Sequence, residues 1–159
     1  FVGMDGTLGG RYKNAADLAK QIAGLWPRNS LSKPFAVLTG GEPLLQLDAY
    51  LIKALHEHNF DIAIETNGTI PVPDGVDWVC VSPKSGAELV IKQGNELKLV
   101  YPQMGIQPET YSGLPFEHLF LQPKDDPELS QNTIQVVDYC KAHPEWRLSF
   151  QTHKVLGIP

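Results

Sequence analysis

The sequence predicts an α/β fold with mainly parallel strands. Short apolar runs alternate along the chain with segments in which apolar residues recur at helical spacing. This alternation is typical of strands joined by helical crossovers, which make neighbouring strands parallel. The chain has 159 residues and contains neither a low-complexity tract nor a dividing linker, so we expect one domain spanning residues 1–159.

Six strands and three helices account for most of the chain. Asn14 is a suitable cap for the first helix, and the last helix is expected to be capped near Ser130 and stopped by Pro144. The predicted strands cover residues 35–40, 61–68, 78–84, 96–102, 118–124 and 147–154, and the predicted helices cover 15–26, 47–59 and 130–144. The links 68–77 and 83–95 are too short or too broken for a full helix, so we expect a sheet or barrel reduced in its second half.

Composition excludes several classes of partner. The net charge is −5, which argues against binding nucleic acid through phosphate contacts. No apolar run approaches the roughly 20 residues that a membrane span needs. Cys80 and Cys140 lie far apart, in a predicted strand and a predicted helix, and no CxxC pair is present. We therefore expect two reduced, buried thiols and a cytoplasmic protein with no nucleic-acid or membrane partner.

Five of the six predicted strands end on polar residues. In α/β folds, ligands bind outside the carboxyl ends of parallel strands. These ends read Thr39-Gly40-Gly41-Glu42, Glu65-Thr66-Asn67-Gly68, Ser82-Pro83-Lys84, Gln122-Pro123-Lys124 and Gln151-Thr152-His153-Lys154. If the strands are parallel, these groups lie at one edge, and the sequence predicts a binding site there.

The strand ends also have purely structural interpretations. Gly40 and Gly41 suit a tight turn, and Glu42 suits the first turn of a helix, where the dipole favours a carboxylate. Residues 65–68 suit an Asx turn. His153 suits a structural histidine with satisfied hydrogen bonds.

The chemistry of the strand ends suits a zwitterion that carries a sugar. Glu42 and Glu65 accept hydrogen bonds from an ammonium or from hydroxyls, whereas Ser82 and Lys84 can hold a carboxylate. A ligand with an amino-acid end and a ribose would satisfy the whole set. The sequence contains no GxxxxGK[ST] or GxGxxG phosphate loop, no HExxH and no zinc-ligand spacing.

Five motifs resemble those of the 7-carboxy-7-deazaguanine synthase family. They are TGGEP at 39–43, ETNG at 65–68, SPK at 82–84, LQP at 121–123 and WRLSFQTHKVLGIP at 146–159. The family consists of radical S-adenosylmethionine enzymes of the queuosine (7-deazapurine) pathway, which supplies a tRNA modification. The resemblance implies an incomplete TIM-like βα barrel and a homodimeric cytoplasmic lyase.

The resemblance assigns binding roles by position but no catalytic residue in this chain. The residues matching S-adenosylmethionine contacts are Thr39, Gly40, Gly41 and Glu42 for the amino group, Glu65 and Asn67 for the ribose, Ser82 and Lys84 for the carboxylate, and Gln122 for the adenosine. The residues matching substrate contacts are Thr39, Gly41, His153 and Pro159, the last through its terminal carboxylate.

The implied reaction contracts the ring of 6-carboxy-5,6,7,8-tetrahydropterin to 7-carboxy-7-deazaguanine, with loss of ammonia. In the family a [4Fe–4S] cluster and S-adenosylmethionine generate a 5′-deoxyadenosyl radical that removes a substrate hydrogen and later returns it. Mg²⁺ assists, and an electron donor such as flavodoxin supplies the electron.

One departure from the family concerns the metals. The family's three cluster cysteines and its magnesium threonine match positions upstream of Phe1, so no metal ligand is assigned in this chain. We expect the first strand and the cluster loop to be missing, and residues 1–159 alone to be unable to make the radical. Cys80 and Cys140 are not substitutes, because both lie in predicted core segments.

Two other functions stay open from the sequence. One is an activating enzyme of the same superfamily that makes a glycyl radical on a partner protein. The QTHK…IP ending argues against it. The other is a non-catalytic nucleotide-binding module. The absence of a cysteine triad from this sequence agrees with that function.

Overall fold

The computed structural model of the chain describes residues 9–157. The chain divides into two compact units, Phe1–Glu65 with Val72–Trp78, and Thr66–Pro71 with Val79–Pro159. Each unit has strands that pair in parallel, because helices or long loops return the chain to the same starting edge.

The described part of the first unit contains two α-helices and two paired strands. They are α1 (Ala15–Leu25), β1 (Phe35–Leu38), α2 (Ala49–Glu57) and β2 (Asp61–Thr66, whose last residue belongs to the second unit). The side-chain oxygen of Asn14 caps α1 by accepting from the Asp17 N–H at 2.8 Å, as the sequence predicts. Asp48 caps α2 in the same way through the Leu51 N–H.

The core of the first unit lies between the helices and the strands. Phe60 and Leu55 are buried, and β2 buries three consecutive residues, Ile62–Ile64. A strand buried on both faces is typical of a parallel sheet that is covered on both sides. By contrast, β1 leaves Phe35 and Val37 about half exposed.

The described part of the second unit contains four strands and two α-helices. They are β3 (Trp78–Val81, whose first residue belongs to the first unit), β4 (Gly94–Tyr101), β5 (Phe116–Pro123), α3 (Leu129–Ala142), β6 (Trp146–Leu148) and α4 (Thr152–Leu156). Strands β3 to β6 pair in sequence order, and every pairing is parallel. Trp146 in β6 is 2% exposed and its indole N–H donates to the Ser112 hydroxyl at 3.1 Å.

The last predicted strand is wrong beyond Leu148. Strand β6 pairs with β5 only over Trp146–Leu148, and the chain then turns into α4 instead of continuing extended to residue 154. Gly157 ends that helix in the left-handed conformation at φ 63°, and its N–H bonds to the His153 and Lys154 carbonyls. Periodicity over so short a helix is too weak to distinguish it from a strand.

The start of α3 differs slightly from the prediction. The helix begins at Leu129 with Glu128 as its cap residue, rather than at a cap near Ser130. Asp126 sets this boundary, because its side chain accepts from the Glu128 N–H and its carbonyl accepts from the Leu129 N–H, both at 2.9 Å. The helix ends at Ala142, before Pro144, as predicted.

The other predicted helices and strands occur as the predicted type of element. All six strands occur, and within the described residues the links 68–77 and 83–95 contain no helix. Cys80 is 3% exposed, as expected, whereas Cys140 on α3 is only partly buried. None of the helices described here combines the length and the apolar composition required to cross a bilayer.

Candidate functional site

The first unit presents the end of β1 beside the end of β2. Leu38 pairs with Ile64, so the residues that follow them, Thr39 and Glu65, reach the same edge of the pair. Gly40 adopts φ 100°, a backbone conformation that glycine tolerates far better than other residues. A Cβ on Gly41 would meet no described atom within 4 Å. The backbone at this edge therefore has open space beside it, as close approach of a ligand requires.

Glu42 already has a structural role. It is the N-cap of the short 3₁₀ helix Pro43–Leu45, and its Oε1 accepts from the Leu44 N–H at 3.1 Å. The prediction that Glu42 lies in the first turn of a helix is wrong by one residue, because Glu42 is the cap residue that precedes the first turn and that turn contains no acidic residue. A carboxylate has about four acceptor positions, so capping a helix and accepting from an ammonium are chemically compatible.

In the second unit, residues 66–69 form an Asx turn. The Oδ1 of Asn67 accepts from the N–H of Thr69 at 2.9 Å and from its hydroxyl at 2.7 Å. The buried Thr66 hydroxyl accepts from the Gly68 N–H at 3.1 Å. The prediction of a turn is therefore correct for the backbone. The two hydrogen bonds from Thr69 fix the orientation of the Asn67 side chain. The proposed ribose role of Asn67 stays a prediction.

Ser82 and Lys84 lie together at the end of β3. The Lys84 ammonium donates to the Ser82 hydroxyl at 2.9 Å. The Ser82 N–H donates to the Thr66 carbonyl at 2.7 Å, which brings this pair beside the Asx turn. An ammonium and a hydroxyl held side by side form a donor set that suits a carboxylate.

Gln122 lies on the wall of a cavity in the second unit. The cavity has a volume of about 240 Å³. Its wall includes Gln122, Asp125, Leu129, Phe150, Gln151 and Val155. Apolar walls with a few polar groups are typical of a small-molecule pocket. The sequence analysis did not place Leu129, Phe150 or Val155 at this cavity. These three side chains line one cavity only when the chain turns into α4, whereas a strand was predicted over 147–154.

The prediction that His153 lies at the end of a strand is wrong. His153 is an exposed residue of α4, and it is not among the cavity-lining residues although Gln151 and Lys154 are. Lys154 forms an ion pair with Asp125 across the same wall. Pro159 lies outside the described residues, so its predicted substrate contact has no structural description.

The described residues do not fit a cluster or a magnesium ion. Among residues 9–157, no three His, Cys, Asp or Glu side chains are grouped so that they could hold a metal. Burial raises the pKa of the Cys140 thiol, which opposes formation of the thiolate that an iron ligand requires. Each unit by itself has donor or acceptor chemistry that suits part of S-adenosylmethionine. The first unit has the Glu42 carboxylate, and the second has the Ser82–Lys84 pair and the lined cavity.

Named relatives match nearly the whole chain, although no protein-family model does. A 7-carboxy-7-deazaguanine synthase of Bradyrhizobium diazoefficiens is 60% identical over 158 residues, covering 99% of this chain and 75% of that protein. The same-named enzyme of Bordetella pertussis is 54% identical over 159 residues, covering 100% of this chain and 75% of that protein.

One solved structure supports the fold class. The crystal structure of QueE from Escherichia coli matches with a TM-score of 0.65 and 27% identity, covering 86% of this chain. The chain spans 63% of that protein, so the match is to part of it. The match confirms the predicted class, an incomplete TIM-like α/β barrel.

Proposed function

This chain belongs to the 7-carboxy-7-deazaguanine synthase family, and from that premise we propose that it contributes the S-adenosylmethionine and substrate sites for this reaction. The reaction contracts 6-carboxy-5,6,7,8-tetrahydropterin to 7-carboxy-7-deazaguanine and releases ammonia. The observation that carries the proposal is identity of 60% to a synthase of that name across 99% of this chain.

The residues of the first unit are proposed to bind the amino group. The Thr39–Glu42 segment has open space beside Gly41, and the Glu42 carboxylate, which caps Leu44, is an acceptor of the type that an ammonium needs. Burial of an ammonium requires such an acceptor, because an unpaired charge away from water is costly. Glu65, at the same edge, is proposed to accept from a ribose hydroxyl. A ribose contact is also proposed for Asn67 of the second unit.

The residues of the second unit are proposed to bind the carboxylate and the adenosine. Lys84 and Ser82 would hold the carboxylate with a charge-assisted and a neutral hydrogen bond. Gln122 would contact the adenosine from the cavity wall. For the pterin, the proposed contacts are Thr39, Gly41, His153 and Pro159.

When it is bound and reductively cleaved, S-adenosylmethionine supplies the radical chemistry for the ring contraction. The residues of this chain bind and orient the ligand, and no metal-dependent step is assigned to them. The chain contains two cysteines, fewer than the three that the family's cluster needs. We therefore propose that residues 1–159 by themselves do not support turnover. A flavodoxin-like donor, Mg²⁺ and a second copy of the chain are proposed as further partners.

Anaerobic turnover tests the proposed function. The whole protein as expressed from its own gene, reconstituted with iron and sulfide, is incubated with the tetrahydropterin, S-adenosylmethionine and a reductant. We expect 7-carboxy-7-deazaguanine, identified by its mass, and none from residues 1–159 alone. S-adenosylmethionine cleavage that requires a glycyl-radical protein instead of the pterin would contradict the proposal.

A further inference from the structure

A buried amide on α3 faces the loop that follows β5. Asn132 is 2% exposed, and it is one of two polar side chains, with Thr66, that the described part of the chain buries. Burying an amide away from water is costly unless its hydrogen bonds are made. The partners of Asn132 therefore show which segment its side chain holds.

Both N–H groups of the Asn132 amide are used on that loop. The Nδ2 atom donates to the Lys124 carbonyl and to the Oδ1 of Asp126, each at 3.0 Å. Both partners are acceptors, so only the NH₂ end of the amide can satisfy them. The helical bond is made separately, because the Asn132 backbone N–H donates to the Glu128 carbonyl at 2.9 Å. The side chain is thus directed out of the helix and onto the loop.

The two residues that Asn132 holds flank a residue of the cavity wall. Asp125 lies between Lys124 and Asp126 in the sequence, and it lines the cavity of about 240 Å³ together with Gln122. Asn132 itself is not one of the lining residues. Its two hydrogen bonds therefore act on the cavity through the loop.

Lys124 is held on both sides of its backbone. Its N–H donates to the Tyr101 carbonyl at the end of β4 at 3.0 Å, and its carbonyl accepts from Asn132. The bond to β4 fixes where the loop leaves the sheet, and the bonds to Asn132 fix its path over the next two residues. Loss of the amide would leave the loop attached to β4 while removing the link from Lys124 to α3.

The beginning of α3 has its own hydrogen bonds, which do not involve the Asn132 side chain. Asp126 fixes it by accepting from the Glu128 N–H and from the Leu129 N–H, each at 2.9 Å. The bond from Asn132 to the Lys124 carbonyl is additional to these. A role confined to stabilising the helix would not account for it.

We propose that Asn132 is a positioning residue for adenosine binding. It holds the loop after β5 so that Asp125 keeps its place in the cavity wall beside Gln122. The inference rests on the proposed function, in which Gln122 contacts the adenosine of S-adenosylmethionine. Asn132 touches neither ligand nor substrate in this role.

The variant Asn132→Leu tests the role, because leucine has a similar size but no donor. The whole protein, as expressed from its own gene and reconstituted, is assayed for turnover of the tetrahydropterin. We expect the KM for S-adenosylmethionine to rise by about fivefold, the loss of roughly one hydrogen-bond contact to the adenosine. The KM for the tetrahydropterin and kcat at saturating S-adenosylmethionine should stay within about twofold of the wild type, because the loop acts on binding of the adenosine.

Calorimetry with 5′-methylthioadenosine checks the same point by direct binding. This ligand keeps the adenosine but lacks the amino-acid end. Asn132→Leu should weaken 5′-methylthioadenosine and S-adenosylmethionine by the same factor, about fivefold. A change at the amino-acid end would instead weaken S-adenosylmethionine alone.

Val136→Ala is the matched control for destabilisation of the same helix. Val136 is fully buried one turn beyond Asn132, and its truncation removes packing but no hydrogen bond to the loop. The melting temperature should fall, while the KM for S-adenosylmethionine and the affinity for 5′-methylthioadenosine stay at wild-type values. Asn132→Ser is too short to span both acceptors, and it should raise the same KM even if Asn132→Leu folds poorly.

Three results would overturn the positioning role alone. They are wild-type KM and 5′-methylthioadenosine affinity in the folded Asn132 variants, a fall in kcat with unchanged KM, and an equal rise of KM in Val136→Ala. The second and third would show that Asn132 only stabilises the helix. A wild-type protein that neither converts the tetrahydropterin nor binds 5′-methylthioadenosine would overturn the proposed function as well.

Discussion

The ammonium of Lys84 lies 2.9 Å from the hydroxyl oxygen of Ser82. Buried Pro83 stands between the two residues, and the Ser82 N–H is bound to the Thr66 carbonyl at 2.7 Å. The pair is thus fixed at the end of β3 by backbone contacts, although Lys84 itself is exposed. Preorganised donors bind an anion with little loss of side-chain entropy.

Replacing Lys84 should weaken ligand binding selectively. Lys84→Met keeps an unbranched side chain of similar length but removes the charge, and we expect S-adenosylmethionine affinity to fall by about tenfold. Ser82→Ala removes a neutral hydrogen bond and should cost only about threefold. Calorimetry with 5′-methylthioadenosine is the control, because that ligand has no carboxylate. Equal losses for both ligands would show that Lys84 does not contact the carboxylate.

Replacing Glu42 should separate its two roles. Glu42→Gln keeps an oxygen that can accept from the Leu44 N–H at the observed 3.1 Å position, but it removes the charge. We expect the melting temperature to stay near that of the wild type, while S-adenosylmethionine affinity falls by about tenfold or more. Glu42→Ala should lower both. Wild-type affinity in Glu42→Gln would exclude a pairing between Glu42 and the ligand's ammonium.

Gly68 should be far less tolerant of substitution than Gly86. Both have positive φ, 81° and 77°, but a Cβ on Gly68 would lie 2.6 Å from Leu89 and 2.7 Å from Val81, whereas Gly86 faces open space. Gly86→Ala should lower the free energy of unfolding by about 1–2 kcal/mol, the cost of the left-handed conformation. Gly68→Ala adds overpacking of about 1–3 kcal/mol. Chemical denaturation yielding equal losses would contradict this difference.

Asp77 should stabilise the first unit only above acid pH. Burial acts to raise the pKa of Asp77, but hydrogen bonds from the Ile62 N–H and the His56 ring outweigh burial and lower it below 3.8. A carboxyl with a lowered pKa contributes stability above its unfolded pKa and loses it as the pH falls through the folded value.

Asp77→Ala tests this contribution. The variant removes the acceptor that lies 2.8 Å from the Ile62 N–H, and we expect it to lower the free energy of unfolding by about 1 kcal/mol at pH 7. The difference from the wild type should shrink as the pH falls below 3.8, the ordinary value for Asp. A difference that stays constant down to about pH 2.5 would exclude the ionised carboxylate as its source.

The strand framework was predictable because its physical signals are local. Buried strands such as β2 read as short apolar runs, and the cap Asn14 precedes a periodic apolar segment. The strand-end positions of Glu42, Ser82 and Lys84 followed from the same pattern. These predictions need only the alternation of side chains along an element and the chemistry of its ends.

The features that the sequence did not predict depend on contacts between distant segments of the chain. The short helix α4 ends at its left-handed cap, Gly157. Because this helix was not predicted, the cavity beside Gln122 was not predicted either. Tertiary context decides such short segments more than propensity does.

The most direct test of binding at these strand ends is a calorimetric titration of the reconstituted protein with S-adenosylmethionine. We expect saturable binding of one ligand per chain, weakened in Glu42→Gln and in Lys84→Met, with both variants melting near the wild-type temperature. Absence of binding to the wild-type protein, or wild-type affinity in both folded variants, would contradict the assignment of this site.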